Sequence, residues 1–207
     1  MVNKSEYRRN SLTIFIISLI AFSALAYVTT TPRSREEFFQ LYLLGSNRKL
    51  GGYFPDNNPN ISLGTAIRWH VGVTNFMGSI QYVAIKFKLG NMSIPPPDET
   101  TLVPSPAPLV MEYQRVILDN ETWEFPFEWK IVAATPKRDA TSLVLNINGT
   151  IVETPGVVST DARNFRMIIE LWIYNPSTGT VEFGWVTGSQ RRIAWLQVWF
   201  NVTSSRQ

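Results

Sequence analysis

The chain has 207 residues, 44% hydrophobic and 13% aromatic against 17% charged, which excludes a disordered polypeptide and supplies enough large apolar surface for one core. It has no Cys and a single His, so disulfides, thiolate nucleophiles, iron–sulfur ligation and most zinc sites are excluded together. Lys4, Arg8 and Arg9 against Glu6 account for +2 of the formal net charge of +3. The remainder of the chain is nearly neutral and has no run of basic residues interleaved with aromatics, so no nucleic-acid partner is expected.

Residues 11–28, SLTIFIISLIAFSALAYV, contain no charge and no Pro. Eighteen residues at 1.5 Å rise give about 27 Å of helix, enough to cross a hydrocarbon core. The basic residues lie on its N-terminal side. By the positive-inside rule, residues 1–10 are expected in the cytoplasm and everything after Val28 outside. Two fates fit this segment: a retained signal anchor, or a cleaved signal peptide with Ala24-Leu25-Ala26 as the small-x-small site. Either way the rest of the chain is exported.

A spacer over residues 29–36 leads to the predicted main domain, residues 37–207. Residues 37–44 read as a first strand and residues 50–64 as a loop rich in Gly, Asn and Pro. Residues 65–76 and 80–89 read as a strand pair around Met77-Gly78-Ser79. Residues 91–108 are a Pro-rich connector unsuited to helix or central strand. From Thr122 to Ile131 the apolar set Trp123, Phe125, Phe127, Trp129 and Ile131 alternates with Thr122, Glu124, Pro126, Glu128 and Lys130, a half-buried strand. Pro126 lacks a donor and predicts an edge or a bulge there. Asn148-Gly149 between residues 143–147 and 150–153 is a hairpin signal, since both central residues must take positive φ. Strands over residues 165–174, 181–186 and 193–202 complete an all-β chain. The expected fold is an immunoglobulin-like antiparallel β-sandwich preceded by one N-terminal transmembrane helix.

Five Asn-x-Ser/Thr sequons follow the apolar segment, at Asn60, Asn91, Asn120, Asn148 and Asn201. Most fall in predicted loops, turns or strand ends, where a glycan can be solvated, and several are expected to carry one. The lone His70 lies inside a strand and reads as a packed histidine. Glu124 and Glu128 share a strand face about 13 Å apart, too far for the usual glycosidase pair, and read as a solvated face. Asp56-Asn57-Asn58 and Asp161 could offer oxygens to Ca²⁺ but lack the EF-hand spacing, so no metal or cofactor is expected. Trp195 and Trp199 lie on one face of a strand whose other face, Leu196, Val198, Phe200 and Val202, is also apolar. One face must cover the core, which makes the other a predicted partner contact.

Phe38 to Asn60 (FFQLYLLGSNRKLGGYFPDNNPN), followed by the Gly64–Asn75 segment with its Val and Asn, resembles the outer domain of an archaeal membrane-protein family of unknown function, domain of unknown function sixteen-sixteen. The Trp-rich terminal strand belongs to the same likeness, which covers residues 36–90 and 165–203. The resemblance implies an archaeal surface protein and brings no catalytic residues. Members of that family often have several membrane helices, whereas one is expected here, and the Pro-rich insertion is unusual. The function expected is a non-catalytic interaction or structural subunit of an envelope or membrane complex. It would be held in lipid by its helix and bind another envelope protein or further copies of itself. Two alternatives are a pilin-like or archaellum-associated filament subunit and a surface hydrolase using carboxylates.

Overall fold

The computed structural model describes residues 4–30, 36–137 and 140–203; residues 1–3 of the basic tail and 31–35 of the spacer lie outside them. The chain divides into two units, Met1–Glu36 and Glu37–Gln207. The first holds α1 (Lys4–Thr30), which extends the expected segment at both ends. Its C-terminal turn runs through residues assigned above to a spacer, because the Thr30 hydroxyl folds back on the Ala26 carbonyl (2.6 Å) and that of Thr29 on Leu25 (3.0 Å). Leu12–Thr30, 19 residues at mean hydropathy 2.2, is long and apolar enough to cross a membrane.

The second unit is a sandwich. One sheet has β1 (Phe39–Leu44), β3 (Ile67–Asn75), β6 (Thr122–Lys137), β7 (Ala140–Ile147) and β8 (Thr150–Ser159) in the order β1-β3-β6-β7-β8. The other has β2 (Asn60–Ser62), β13 (Trp195–Thr203), β9 (Phe165–Asn175), β4 (Gln81–Gly90) and β5 (Leu109–Ile117) in the order β2-β13-β9-β4-β5. The short β10 (Thr180–Phe183) pairs with the end of β9, and β11 (Trp185–Thr187) with β12 (Gln190–Arg192) forms a small hairpin. The run β5-β4-β9-β13 is the C′-C-F-G order of immunoglobulin sheets, and β1-β3-β6 is the A-B-E order of the facing sheet. The departures are β7 and β8, which extend the E position as a meander, and β2, which pairs with β13 in parallel.

Between the sheets lies an aromatic layer. Phe87 of β4 stacks on Phe127 of β6 at 3.8 Å with the rings 3° from parallel, and Trp129 meets Phe200 of β13 at 5.1 Å. Trp69 packs on both Phe127 and Trp129, and all five are buried. The alternation of Thr122–Ile131 is observed: Phe127, Trp129 and Ile131 lie in the core and Glu124, Glu128 and Lys130 face outward.

Three sequence expectations need correction. The pair predicted around Met77–Ser79 is a crossing between sheets, since β3 joins the first and β4 the second. Asn75 makes the crossing possible. It is fully buried, and its amide nitrogen lies 2.8 Å from the Ser79 carbonyl and 3.1 Å from those of Ile117 and Leu118. Its Oδ1 accepts the Met77 N–H (2.9 Å), so one side chain at the end of β3 satisfies backbone groups of the connecting turn and of the end of β5 in the facing sheet. Second, Pro126 sits in a strand that is central in its sheet, with an edge only locally. Glu128, two residues on, turns its N–H and C=O to Asn148, so Pro126 faces the same side, and β7 joins β6 only from Trp129. The missing N–H would have had no partner. Third, the stretch 181–186 is two strands broken at Gly184 (φ 83°), where a Cβ would stand 2.2 Å from the Arg192 carbonyl oxygen.

The Asn148-Gly149 hairpin forms as expected, with φ of 46° and 90°. On the outer face of the first sheet, Tyr42 lies across Gly72, where a Cβ would fall 2.0 Å from its ring, and donates its hydroxyl to Glu124 (3.1 Å).

Replacing Asn75 by Ala strands the Met77 N–H and up to three carbonyls in the interior, and is expected to destabilise the sandwich by about 3 kcal/mol. Asn75→Asp should be no milder, because it keeps the shape while removing both donors and burying a charge. Urea denaturation decides it; a loss under about 1 kcal/mol for either variant would show that the crossing is held elsewhere.

Candidate functional surface

The outer face of the six-stranded sheet sets charged, aromatic and amide side chains side by side. The register places Lys86, Glu170 and Trp195 in one row across β4, β9 and β13; Lys88, Ile168 and Gln197 in the next; and Gly90, Arg166 and Trp199 in the third. Unlike an ordinary solvated face, most of this one is covered. Glu170 and Ile168 are fully buried, Arg166 is 4% exposed and Lys88 is 7% exposed.

The cover is the Pro-rich segment 91–108. Its Ser105 N–H donates to Glu170 Oε1 (2.8 Å), and Lys88 Nζ donates to the Ser105 carbonyl (2.6 Å). Lys88 Nζ also stands 2.9 Å from Glu170 Oε2, which takes the Trp172 indole N–H at 2.9 Å. A buried ion pair is stable only where its remaining hydrogen-bonding capacity is filled, and here a backbone amide and an indole fill it. Lys86 lies 3.7 Å from the centroid of the Trp172 ring. Further along, Arg166 donates to Gln197 Oε1 (2.9 Å) and to the Ile94 carbonyl of the strap, and burial pulls its pKa below the ordinary guanidinium value. The strap closes on itself through Asp98, whose exposed carboxyl is held below its usual range by the N–H groups of Thr101 (3.0 Å) and Thr100 (2.7 Å).

Trp195 and Trp199 lie at the margin of this cover. Phe200 and Val202 fill the core, so the two Trp take the outer face. Trp199 is 38% exposed with the Arg166 guanidinium 4.8 Å from its ring centroid, and the Trp195 indole N–H points to Glu99 Oε1 of the strap (3.3 Å). Gln197, exposed between them, continues the strip.

The other sequence-predicted positions are dispersed. Asn60, Asn120 and Asn148 are exposed and Asn201 is half-buried. Asn91, expected in an open loop, is 7% exposed; its amide nitrogen donates to the Val158 carbonyl (2.6 Å) and its Oδ1 accepts from Ser93 and Ile94. That side chain organises the start of the strap and is withdrawn from solvent in the folded chain. His70 is buried with Nδ1 3.3 Å from the Gly45 carbonyl oxygen. Glu124 pairs with Arg48 (3.4 Å) and Glu128 with Arg68 (2.7 Å), two separately neutralised carboxylates on one face. Asp56 and Asp161 each sit in a single 3₁₀ turn at positive φ, and among the described residues no group of three His, Asp or Glu side chains is placed to hold a metal ion. Sequence reasoning missed the Lys88–Glu170–Ser105 cluster. Its only linear signal was charge inside apolar strands, Arg166 and Glu170 in FRMIIELW and Lys86 and Lys88 in IKFKL.

No family model matches the chain, and no curated protein matches it. Among solved structures it is similar to the CARDB domain of a Pyrococcus furiosus protein in complex with di-metal ions, at 8% identity and TM-score 0.38 over 83% of this chain and 97% of that one. A β-glucosidase from Listeria innocua matches at 11% identity and TM-score 0.35, covering 80% of this chain but 16% of the enzyme. The sporulation control protein Spo0M of Bacillus subtilis follows at 10% and 0.27, over 78% and 90% of the two chains. These are likenesses of outline.

Breaking the buried pair tests the strap. Glu170→Gln leaves the Lys88 ammonium without a counter-charge and is expected to cost about 3 kcal/mol, whereas Glu170→Leu combined with Lys88→Met should recover most of that loss. Chemical denaturation of each variant measures both. Equal losses in the two would mean that the uncompensated Lys88 charge is not what destabilises Glu170→Gln.

Proposed function

We propose that the protein is a membrane-anchored, exported β-sandwich that acts without catalysis, as an interaction or structural subunit of a cell-envelope or membrane complex. The observation that carries the reading is the pairing of one apolar 19-residue helix with a sandwich whose terminal strand leaves an aromatic strip, Trp195, Gln197 and Trp199, beside an otherwise covered face. Lys4, Arg8 and Arg9 precede the apolar stretch Leu12–Thr30 of the helix, which favours a cytoplasmic N-terminus and an extracellular sandwich. Exposed sequon asparagines at Asn60, Asn120 and Asn148 are consistent with glycosylation on that side. The resemblance of residues 36–90 and 165–203 to an archaeal surface family supports the same setting. The acidic side chains argue for structure over hydrolysis, since Glu124, Glu128 and Glu170 are each held by their own cationic partner.

Orientation is tested by adding protease to intact cells, which should remove the sandwich. Protection of the sandwich with the N-terminal tail accessible would reverse the assignment.

Binding is tested by the Trp195→Ala, Trp199→Ala double variant. Both side chains lie outside the aromatic layer, so folding should persist while the partner protein is lost from native membrane co-purification. Truncating a central aromatic of such a contact typically costs on the order of 2 kcal/mol or more, at least a thirtyfold loss of affinity. Unchanged co-purification by a folded double variant would place the contact elsewhere.

A further inference from the structure

Two of the sequons are not independent sites. β2 and β13 pair in parallel with Asn60 opposite Asn201, Ile61 opposite Val202 and Ser62 opposite Thr203, so the two motifs lie residue for residue side by side. The middle residues, Ile61 and Val202, are buried in the core, which turns both asparagines and both hydroxyl residues to the same outer side. There they bond to each other. Asn201 Nδ2 donates to Asn60 Oδ1 (2.9 Å), and the Ser62 and Thr203 hydroxyls stand 3.0 Å apart. The row continues outward at both ends, from Asn60 Nδ2 to Asn58 Oδ1 (2.8 Å) and from the Asn164 N–H to Asn201 Oδ1 (2.9 Å).

We propose that this in-register pair is a single modification site, glycosylated at Asn60 and closed at Asn201; the inference rests on the reading of the sandwich as exported and glycosylated. Glycan transfer forms a bond between the asparagine Nδ2 and the anomeric carbon of a glycosyl phosphate donor. The carbon–oxygen bond to the donor phosphate breaks, and Nδ2 loses one proton. Transfer therefore needs a free amide and a sequon hydroxyl that the transferring enzyme can engage. In the folded ladder both hydroxyls are engaged with each other and the Asn201 amide is engaged with Asn60, so modification has to precede the docking of β13 on β2.

Order of export then decides between the two. Asn60 emerges 141 residues before Asn201 when the chain follows its N-terminal helix outward, and it emerges with no partner strand present. Once modified, Asn60 keeps one Nδ2 hydrogen for Asn58 and its Oδ1 for Asn201, so β13 can dock without loss of a hydrogen bond. Neighbouring strands lie about 4.8 Å apart, so a second glycan would start one strand spacing from the first, on a parallel and half-buried side chain.

The test compares intact masses of the full chain purified from its native membranes as wild type, Asn60→Gln and Asn201→Gln. The expected result is that Asn60→Gln carries one glycan fewer than wild type and Asn201→Gln the same number, with peptide mapping placing the lost glycan at residue 60. A wild-type chain modified at both positions on one molecule, or a glycan lost in Asn201→Gln, overturns the inference and leaves the glycoprotein reading standing. So does a chain with glycans at Asn120 or Asn148 whose count neither substitution changes. A wild-type mass with no glycan at all overturns the glycoprotein reading itself, and the inference with it.

Discussion

β9 is buried on both faces, and much of the rest of the sandwich answers that constraint. Antiparallel strands in a two-sheet domain ordinarily show one face to water. In β9 the inner face supplies Phe165, Met167, Ile169 and Leu171 to the core, while the outer face carries Arg166, Ile168 and Glu170, all buried. A carboxylate with no exposed surface must be paired and saturated with donors, and neither β4 nor β13 alone could do this. The Pro-rich strap supplies the missing backbone amide at Ser105 and the carbonyl that holds Lys88. The strap is thus a third layer fastened by polar contacts, in contrast to the aromatic layer that joins the sheets.

The composition of the strap suits this role. Proline restricts the unfolded chain, so ordering the segment costs less conformational entropy than it would for a flexible loop of the same length. Pro97, Ser105 and Ala107 are the buried contacts, while Pro95, Pro96 and Glu99 remain exposed. Asn91 anchors one end through the Val158 carbonyl, which explains why an asparagine inside a formal sequon is withdrawn from solvent. The same residue type does opposite work a few elements away. Asn60 and Asn201 face outward because their flanking residues, Ile61 and Val202, alternate into the core.

Local patterns were legible in the sequence where the period of two was clean. The Trp123–Ile131 alternation and the Asn148-Gly149 turn belong to that class, since each depends on neighbours in the chain. β5 was missed because LVMEYQRVI opens on three apolar residues and then turns polar, with Gln114, Arg115 and Val116 exposed at the sheet edge. β2 was missed because three residues next to Pro59 contain one buried side chain, too little for any periodic signal. The crossing after β3 was mistaken for a hairpin because a short polar turn looks the same whether the chain returns along its own sheet or passes to the facing one. Only the burial of Asn75 among Ser79, Ile117 and Leu118 separates the two. The charged cluster was beyond sequence reasoning for a related reason: Ser105 and Glu170 are 65 residues apart, and a Glu in a strand reads equally well as solvated.

The strap also fixes which part of the outer face stays open to solvent. It reaches β13 through Glu99 at Trp195 and covers Arg166 through Ile94, and Gln197 and Trp199 remain exposed beyond it. Both rings are already held, Trp199 over the Arg166 guanidinium and Trp195 against Glu99. A partner that docks there orders little that is not already ordered, and entropy lost on binding is what most often offsets the gain from buried apolar area. Two indoles with little left to order, flanked by a cation and by hydrogen-bonding groups, suit the partner contact proposed above. A loose aromatic patch of equal area would bind more weakly, because it would first have to be ordered. The same strap that buries the β9 charges therefore also orders the aromatic strip beside them.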